Sequence, residues 1–263
     1  MLGLSRRFIA TVTVLFLALM WVPSAIVSPA SASGVDAGFE IDGNKVVDTT
    51  GNLDWTSPEI GTQPVENDDA GGDPTVYSSS SKESNDPSTW SLAGGAPPKD
   101  DMTNIYAYAK PGTADVFFGF DRGATSGTDS YYLELNKLQP TNTTTYAPNR
   151  SDGDRRFRLD DKGNGVIALS AESVWTSGAW VTTTLSSNPA GFDYAVSADE
   201  SFLEFSFDLT ELLSYANSDD LVIAVRVEHS DISDSRWYNG TGINRRVELE
   251  AWDIEQEFRR AFG

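Results

Sequence analysis

The sequence predicts an all-β protein, an antiparallel β-sandwich of the jelly-roll type. From residue 105 onward, short runs of apolar and aromatic residues alternate with polar residues, which is the pattern of strands with one buried face. Turns rich in glycine, serine and threonine separate these runs at intervals of about ten to fifteen residues, so consecutive strands are expected to be antiparallel neighbours. Helical periodicity is confined to two short segments.

The clearest strands are residues 105–110 (IYAYAK) and 131–138 (YYLELNKL), which alternate, and residues 116–121 (VFFGFD), which are mostly apolar. The predicted strands are Phe39–Asp42, Ile105–Lys110, Val116–Asp121, Tyr131–Leu138, Arg156–Leu159, Gly165–Leu169, Ala179–Leu185, Phe192–Val196, Phe202–Phe207, Leu221–His229 and Arg246–Trp252. Their expected core residues are Phe117, Phe118, Phe120, Leu133, Leu135, Phe205, Phe207, Val222, Ile223 and Val225.

Two short helices are predicted near residues 208–215 and 253–262. The first begins with Asp208, a residue type that caps helix N-termini, and leucines follow three and four positions apart. The second places Ile254, Phe258 and Phe262 on one stripe, with acidic residues early and basic residues late, as the helix dipole favours. It is expected to close the sheet, and a partner-binding tail is the alternative.

Residues 52–101 are rich in Gly, Pro, Ser, Asp and Asn, which predicts a long surface excursion. Trp55 and Trp90 lie within it. Because tryptophan contributes a large apolar area, both are expected to anchor the excursion to the domain.

The first 32 residues have the three parts of an export signal. Arg6 and Arg7 form a basic start, and the apolar run Ile9–Val22 is shorter than a membrane span. Small residues at Ala30–Ala32 then suit a signal peptidase, so residues 1–32 are predicted to be removed. An uncleaved anchor is the alternative. The arginine pair also fits the twin-arginine pattern in part, which leaves the export route open.

Residues 33–263 are therefore expected to form one secreted domain, released rather than anchored and without a further membrane span. The formal net charge of −20 repels nucleic acid phosphates and anionic membranes, and it serves solubility. The chain contains no cysteine, which excludes disulfides and thiolate zinc sites.

The motifs of most common enzymes are missing, so a non-enzymatic protein is expected. His229 is the only histidine, and neither a Gly-x-Ser-x-Gly elbow nor a phosphate-binding glycine loop occurs. Acids at Glu40 and Asp42, and again at Glu248 and Glu250, approach the Glu-x-Asp-x-Glu pattern of jelly-roll glycosidases. Neither segment completes it. A secreted polysaccharide hydrolase remains the alternative.

Two candidate sites follow from residue chemistry. Asp160, Asp161 and Asn164, with glycines between and beside them, could hold a structural Ca²⁺, although a hairpin turn explains the same residues; Asp152 and Asp154 are a weaker cation candidate. The candidate carbohydrate contacts are aromatic residues near predicted strand ends or turns, because sugars stack on aromatic faces: Trp175, Trp180, Trp237 and Tyr238. Packing in the core or at an edge is their alternative role.

Several segments together resemble a domain found in actinobacterial secreted and cell-surface proteins. They are Phe39–Asn44, Leu53–Trp55, Ser81–Glu83, Asp86–Trp90, Pro98–Asp101, Asn104–Tyr106, Phe117–Arg122 and Tyr131–Asn136. In relatives, this domain often precedes prealbumin-like repeats and a sortase-type anchor, neither of which this sequence contains. The resemblance implies no reaction and no catalytic residues. The segment from Val116 to Asn136 is also similar in pattern to the sandwich of DOMON-like carbohydrate-binding modules.

The sequence thus predicts an extracellular or cell-surface binding domain with a polysaccharide or cell-wall component as its partner. No cofactor is expected apart from structural Ca²⁺. A structural surface protein without a small ligand is the remaining alternative.

Overall fold

The computed structural model describes residues 34–64, 66–67, 86–91, 100–138, 147–163, 166–214, 222–228, 232–239 and 242–243. Its strands are β1 (Gly34–Asp36), β2 (Phe39–Ile41), β3 (Glu66–Asn67), β4 (Met102–Ala109), β5 (Asp115–Arg122), β6 (Asp129–Asn136), β7 (Arg155–Asp161), β8 (Ile167–Thr176), β9 (Ala179–Thr184), β10 (Phe192–Val196), β11 (Phe202–Asp208), β12 (Val222–Glu228), β13 (Ile232–Asn239) and β14 (Gly242–Ile243). The helices are α1 (Leu209–Leu213) and two 3₁₀ turns, Pro58–Ile60 and Pro87–Thr89. None of these helices is long and apolar enough to cross a membrane.

The strands form two large antiparallel sheets and one small ribbon. The five-stranded sheet has the order β10-β11-β5-β4-β3, and the seven-stranded sheet has the order β14-β13-β12-β6-β7-β8-β9. Strands β1 and β2 form the ribbon. The prediction of a mostly β protein with antiparallel neighbours is confirmed.

The main hydrophobic core takes side chains from both large sheets. Phe118 and Phe205 come from the five-stranded sheet, Leu133 comes from the seven-stranded sheet, and all three are fully buried. The rings of Phe157 on β7 and Phe192 on β10 stack with centroids 4.2 Å apart, which places the two sheets in direct contact. Seven of the ten predicted core residues are fully buried: Phe117, Phe118, Phe120, Leu133, Leu135, Phe205 and Phe207. The side chains of Val222, Ile223 and Val225 lie outside the described part of the chain.

A second core lies on the opposite face of the five-stranded sheet. Phe39 stacks on Phe117 with ring centroids 4.3 Å apart, and Trp55 meets Phe39 edge to face. Successive strand residues point to opposite faces, so Phe117 serves this core while Phe118 serves the main one. Trp55 is 2 % exposed and Trp90 is 3 % exposed, as expected of residues that anchor the excursion.

The first predicted helix is confirmed, since the Asp208 carboxylate caps α1 by accepting hydrogen bonds from Thr210 N and Glu211 N. The predicted helix at 253–262 and the predicted strand Arg246–Trp252 lie outside the described residues. Strand β13 is not among the predicted strands, because its sequence ISDSRWYN is mostly polar.

Candidate functional site

Trp175 and Trp180 come together at one edge of the seven-stranded sheet. They form a cross-strand pair in the β8–β9 hairpin, and their ring centroids are 5.1 Å apart in an edge-to-face arrangement. The connecting residues Ser177 (φ 53°) and Gly178 (φ 85°) both have positive φ, as a type I′ turn requires. This turn sets the register that pairs the two tryptophans.

Arg150 completes the cluster with a third tryptophan. Its guanidinium carbon lies 5.0 Å from the ring centroid of Trp180, 5.3 Å from that of Trp175 and 5.4 Å from that of Trp90. These distances suit cation–π contacts. We refer to Trp90, Arg150, Trp175 and Trp180 as the tryptophan–arginine cluster.

The Glu134 carboxylate holds Arg150 in place. Arg150 donates from Nε to Glu134 Oε1 at 2.8 Å and from its second terminal nitrogen to Oε2 at 2.9 Å. The two side chains are 2 % and 0 % exposed. On β6, Leu133 points into the main core, so Glu134 points to the outer face, where the cluster sits.

Asp154 organises the loop that carries Arg150. Its buried carboxylate accepts hydrogen bonds from Ser151 N at 2.6 Å and Lys137 N at 2.9 Å. Burial raises the pKa of this carboxyl above its ordinary value. The loop is also tied to β8, because Gly153 N donates to Trp175 O and Trp175 N donates to Asp154 O.

An open cleft of about 600 Å³ lies beside the cluster. Its lining residues come from the hairpin, from β7 and from the Pro87–Thr89 turn: Asp86, Pro87, Arg156, Trp175, Gly178, Ala179, Trp180 and Thr182. The Arg156 guanidinium carbon lies 4.4 Å from the Trp180 ring centroid. Trp175 and Trp180 are partly exposed, so parts of both side chains are open to solvent.

Asp86 supplies a carboxylate at the cleft. It is exposed and accepts a hydrogen bond from Ser88 N at 2.9 Å. This hydrogen bond lowers the pKa of Asp86 below its ordinary value, so the side chain carries a negative charge at neutral pH.

The other two predicted aromatic contacts do not join this cleft. Trp237 and Tyr238 lie on β13, four strands from β8, which corresponds to about 19 Å at the usual strand spacing. Trp237 of β13 pairs with Ala224 of β12, and Ala224 pairs with Glu134 of β6. Trp237 and Glu134 therefore lie in the same row across the sheet, with one strand between them.

Asp160 and Asp161 contact different partners in the structure. They are consecutive on β7, so their side chains alternate between the two faces. Asp161 accepts from a terminal nitrogen of Arg122 at 2.8 Å, while Asp160 accepts from Arg158 Nε at 2.7 Å. Strands β7 and β8 pair as antiparallel neighbours, as expected if these residues connect two strands of a hairpin. Asn164 lies outside the described residues.

Two acids with raised pKa values lie away from the cleft, under the amino-terminal segment. Burial raises the pKa of Glu204 to about 8 and that of Asp54 to about 7. The Glu204 carboxylate accepts from Asp42 N, Gly43 N and Trp55 Nε1 at 2.8, 2.6 and 2.8 Å. Both acids are 0 % exposed, so a large substrate has no access to them in this conformation.

Sequence reasoning missed Arg150 and Arg156 as site residues, and it assigned Trp90 only an anchoring role. The sequence gives little indication that Arg150 belongs to the site, because the residues it contacts there lie 16 or more positions away in the chain. No protein-family model matches the chain, and no curated protein or solved structure is significantly similar to it.

Proposed function

We propose that this protein is a secreted binding domain of the extracellular space or cell surface, and that it binds a polysaccharide or cell-wall glycan without chemically changing it. The observation that carries this proposal is the partly exposed pair Trp175 and Trp180, set beside Arg156 in an open cleft. The export signal predicted at residues 1–32 supports the extracellular location.

The cleft has the composition of a sugar site. The apolar faces of pyranose rings pack on indole rings, while hydroxyl groups need hydrogen-bond partners at the side. Arg156 can donate such bonds and Asp86 can accept them. The cleft volume of about 600 Å³ lies within the range of small-molecule sites and has room for a short oligosaccharide.

The charge pattern favours a neutral glycan. The whole chain carries a formal net charge of −20, and the cleft itself is lined by one of these acids, Asp86, together with Arg156. Arg150 is already neutralised by Glu134. A polyanionic glycan would therefore meet repulsion on approach, whereas a neutral one would not.

We also infer that the two large sheets form a sandwich of the jelly-roll type. Support comes from the main core, to which both sheets contribute, and from the stacking of Phe157 on Phe192 between them. In this arrangement the tryptophan–arginine cluster lies on the outer face of one sheet, where an extended polymer can pass without entering the core.

Binding is better supported than hydrolysis. Glycoside hydrolysis requires two carboxyl groups on either side of the scissile bond. Among the described residues that line the cleft, Asp86 is the one acid. The nearby Glu134 is occupied by Arg150 and is fully buried.

The test is a glycan array and a pull-down with insoluble polysaccharides, using the purified protein and its Trp180→Ala and Trp175→Ala variants. We expect each variant to lose roughly tenfold or more in affinity for the glycan that the native protein binds. Val181→Ala is the matched control, because Val181 is exposed on the same strand and points to the other face.

Circular dichroism and thermal melting establish that each variant is folded. Equal binding by the native protein and a folded Trp180→Ala variant would contradict the proposed site. Failure of the native protein to bind any glycan would favour a structural surface protein instead.

A further inference from the structure

Three acids converge at the amino-terminal end of the described chain. A carboxylate oxygen of each of Glu40, Asp42 and Asp54 lies within 4.8 Å of those of the other two. Backbone pairing brings them together, since Glu40 N donates to Leu53 O at 2.8 Å and Leu53 N donates to Gly38 O at 2.9 Å. We refer to Glu40, Asp42 and Asp54 as the acidic triad.

Asp54 gives an independent indication that a ligand belongs there. Its side chain is 0 % exposed, and its Oδ1 accepts a hydrogen bond from Trp55 N at 2.5 Å. Its Oδ2 is buried and has no hydrogen-bond partner among the described residues. A buried carboxylate oxygen without a partner is costly, and buried polar atoms in native proteins are almost always satisfied. A cation bound by the triad would satisfy it.

The charges around the triad are negative. The charged groups with the largest influence on Asp54 are Asp42, Glu40 and Asp48, all of which are acids. The nearby cation Lys45 is engaged elsewhere, since its Nζ lies 2.5 Å from Asp121 Oδ1. The charges that act most strongly on Asp54 are therefore all negative, which favours a bound cation.

Hydrogen bonds already orient two members of the triad. Glu40 accepts from Asp48 N at 2.6 Å, Thr49 N at 2.8 Å and Asn52 Nδ2 at 3.0 Å. Asp42 accepts from Asn44 N at 3.0 Å. Such contacts pre-position metal ligands and lower the cost of gathering them.

We propose that the acidic triad binds one Ca²⁺ ion. The donor set is made of carboxylate oxygens, which Ca²⁺ prefers, and two oxygens on opposite sides of one Ca²⁺ at about 2.4 Å are about 4.8 Å apart. Asp42 is the partly exposed member of the triad, so water ligands can reach the ion from its side. Mg²⁺ fits less well, because it retains several waters and demands strict octahedral geometry.

The bound ion would tie the loop after β2 to the second core. Residues 42–50 form this loop, and Asp54 adjoins Trp55, whose indole packs on Phe39. The site is separate from the glycan cleft, which lies on the seven-stranded sheet. Calcium binding without glycan therefore tests this inference alone.

The test is isothermal titration calorimetry of the chelator-treated full chain with CaCl₂ and with MgCl₂, together with thermal melting. We expect one Ca²⁺ per chain, weaker binding of Mg²⁺ and a rise of several degrees in the melting temperature with Ca²⁺. Asp54→Asn should weaken Ca²⁺ binding by roughly tenfold or more, since even residues that only support ligands often have effects of this size.

Two further variants make the result decisive. Glu59→Gln removes the same charge from an exposed position in the same segment and should bind Ca²⁺ like the native protein. Asp42→Asn replaces a partly exposed member of the triad and serves as the test variant if Asp54→Asn fails to fold.

Native affinity in the folded Asp54→Asn or Asp42→Asn variant would overturn the proposal, as would absence of Ca²⁺ binding or tighter binding of Mg²⁺. If Asp160→Asn abolishes binding while the triad variants retain it, the ion binds at the β7–β8 hairpin and the assignment is wrong.

Discussion

The Arg150 guanidinium carbon lies 5.0 to 5.4 Å from three tryptophan ring centroids, and the guanidinium donates two hydrogen bonds to the buried Glu134 carboxylate. This pairing joins the loop that carries Arg150 to β6, and the same guanidinium contacts the rings of Trp175 on β8 and Trp180 on β9.

Glu134→Ala should lower the free energy of unfolding by about 3–5 kcal/mol, because Arg150 would remain buried without this carboxylate. The double variant Glu134→Leu with Arg150→Met should be more stable than Glu134→Ala, since it removes both charges. Urea unfolding measures each change. Arg158→Ala is the control, because the Arg158–Asp160 pair is partly exposed and should contribute only about 0–1 kcal/mol. A Glu134→Ala loss as small as that of the control would contradict the prediction.

Asp161→Ala should destabilise the fold by a similar amount, about 3–5 kcal/mol. Asp161 and Arg122 are 0 % and 1 % exposed, and their ion pair joins β7 of one sheet to β5 of the other. Asp160→Ala should change the unfolding free energy by less than about 1 kcal/mol. Neither variant should alter calcium affinity in calorimetry. A loss of calcium binding in either folded variant would indicate that the ion binds at the β7–β8 hairpin.

Gly43→Ala should destabilise the protein by more than Gly51→Ala does. Both glycines have positive φ, 84° and 98°, so an alanine is strained at each position. At Gly43 the added Cβ would also lie 2.6 Å from Val196 O, whereas at Gly51 nothing lies within 4 Å. The difference between the two urea midpoints isolates the clash. Equal midpoints would show that the backbone near Gly43 relaxes freely.

Asp199 should make stability fall at low pH. Hydrogen bonds from the Ser201 and Ser197 hydroxyls lower the pKa of Asp199 from 3.8 to about 2. A carboxyl with a lowered folded-state pKa stabilises the fold fully above the unfolded value of 3.8, and this contribution disappears as the pH falls through about 2. The difference in urea midpoint between the native protein and Asp199→Asn should therefore be larger at pH 6 than at pH 2.5. A difference independent of pH would contradict this assignment.

Most of the longer strands and the main core were predictable because their signals are local. Phe117, Phe118 and Phe120 were predicted as core residues from their apolar, aromatic run, and all three are buried. That Phe117 faces a second core, opposite to Phe118 and Phe120, was not predicted. Asp208 is followed by leucines at helical spacing, which was enough to locate α1.

The sites were less predictable because their contacts are distant in sequence. Trp175 and Trp180 were found through their position near a turn, but Arg150 is recognisable only after the 147–154 loop has docked beside them. Glu204 has the appearance of a solvated residue, since it alternates with Leu203 and Phe205 along β11. It is buried because the amino-terminal segment covers that face, which no local pattern reveals.

The hydrogen bonds from Asp42 N and Gly43 N to Glu204 join residues 162 and 161 positions apart. At ribosomal speeds of about 5–20 residues per second, the partner of this early segment is synthesised roughly 8–32 s later. Until then, β1, β2 and the loop after them lack the β11 part of the surface that they cover, although the β4 and β5 part, which includes Phe117, is already made. The amino-terminal segment therefore cannot complete its contacts with the five-stranded sheet before β11 has been synthesised.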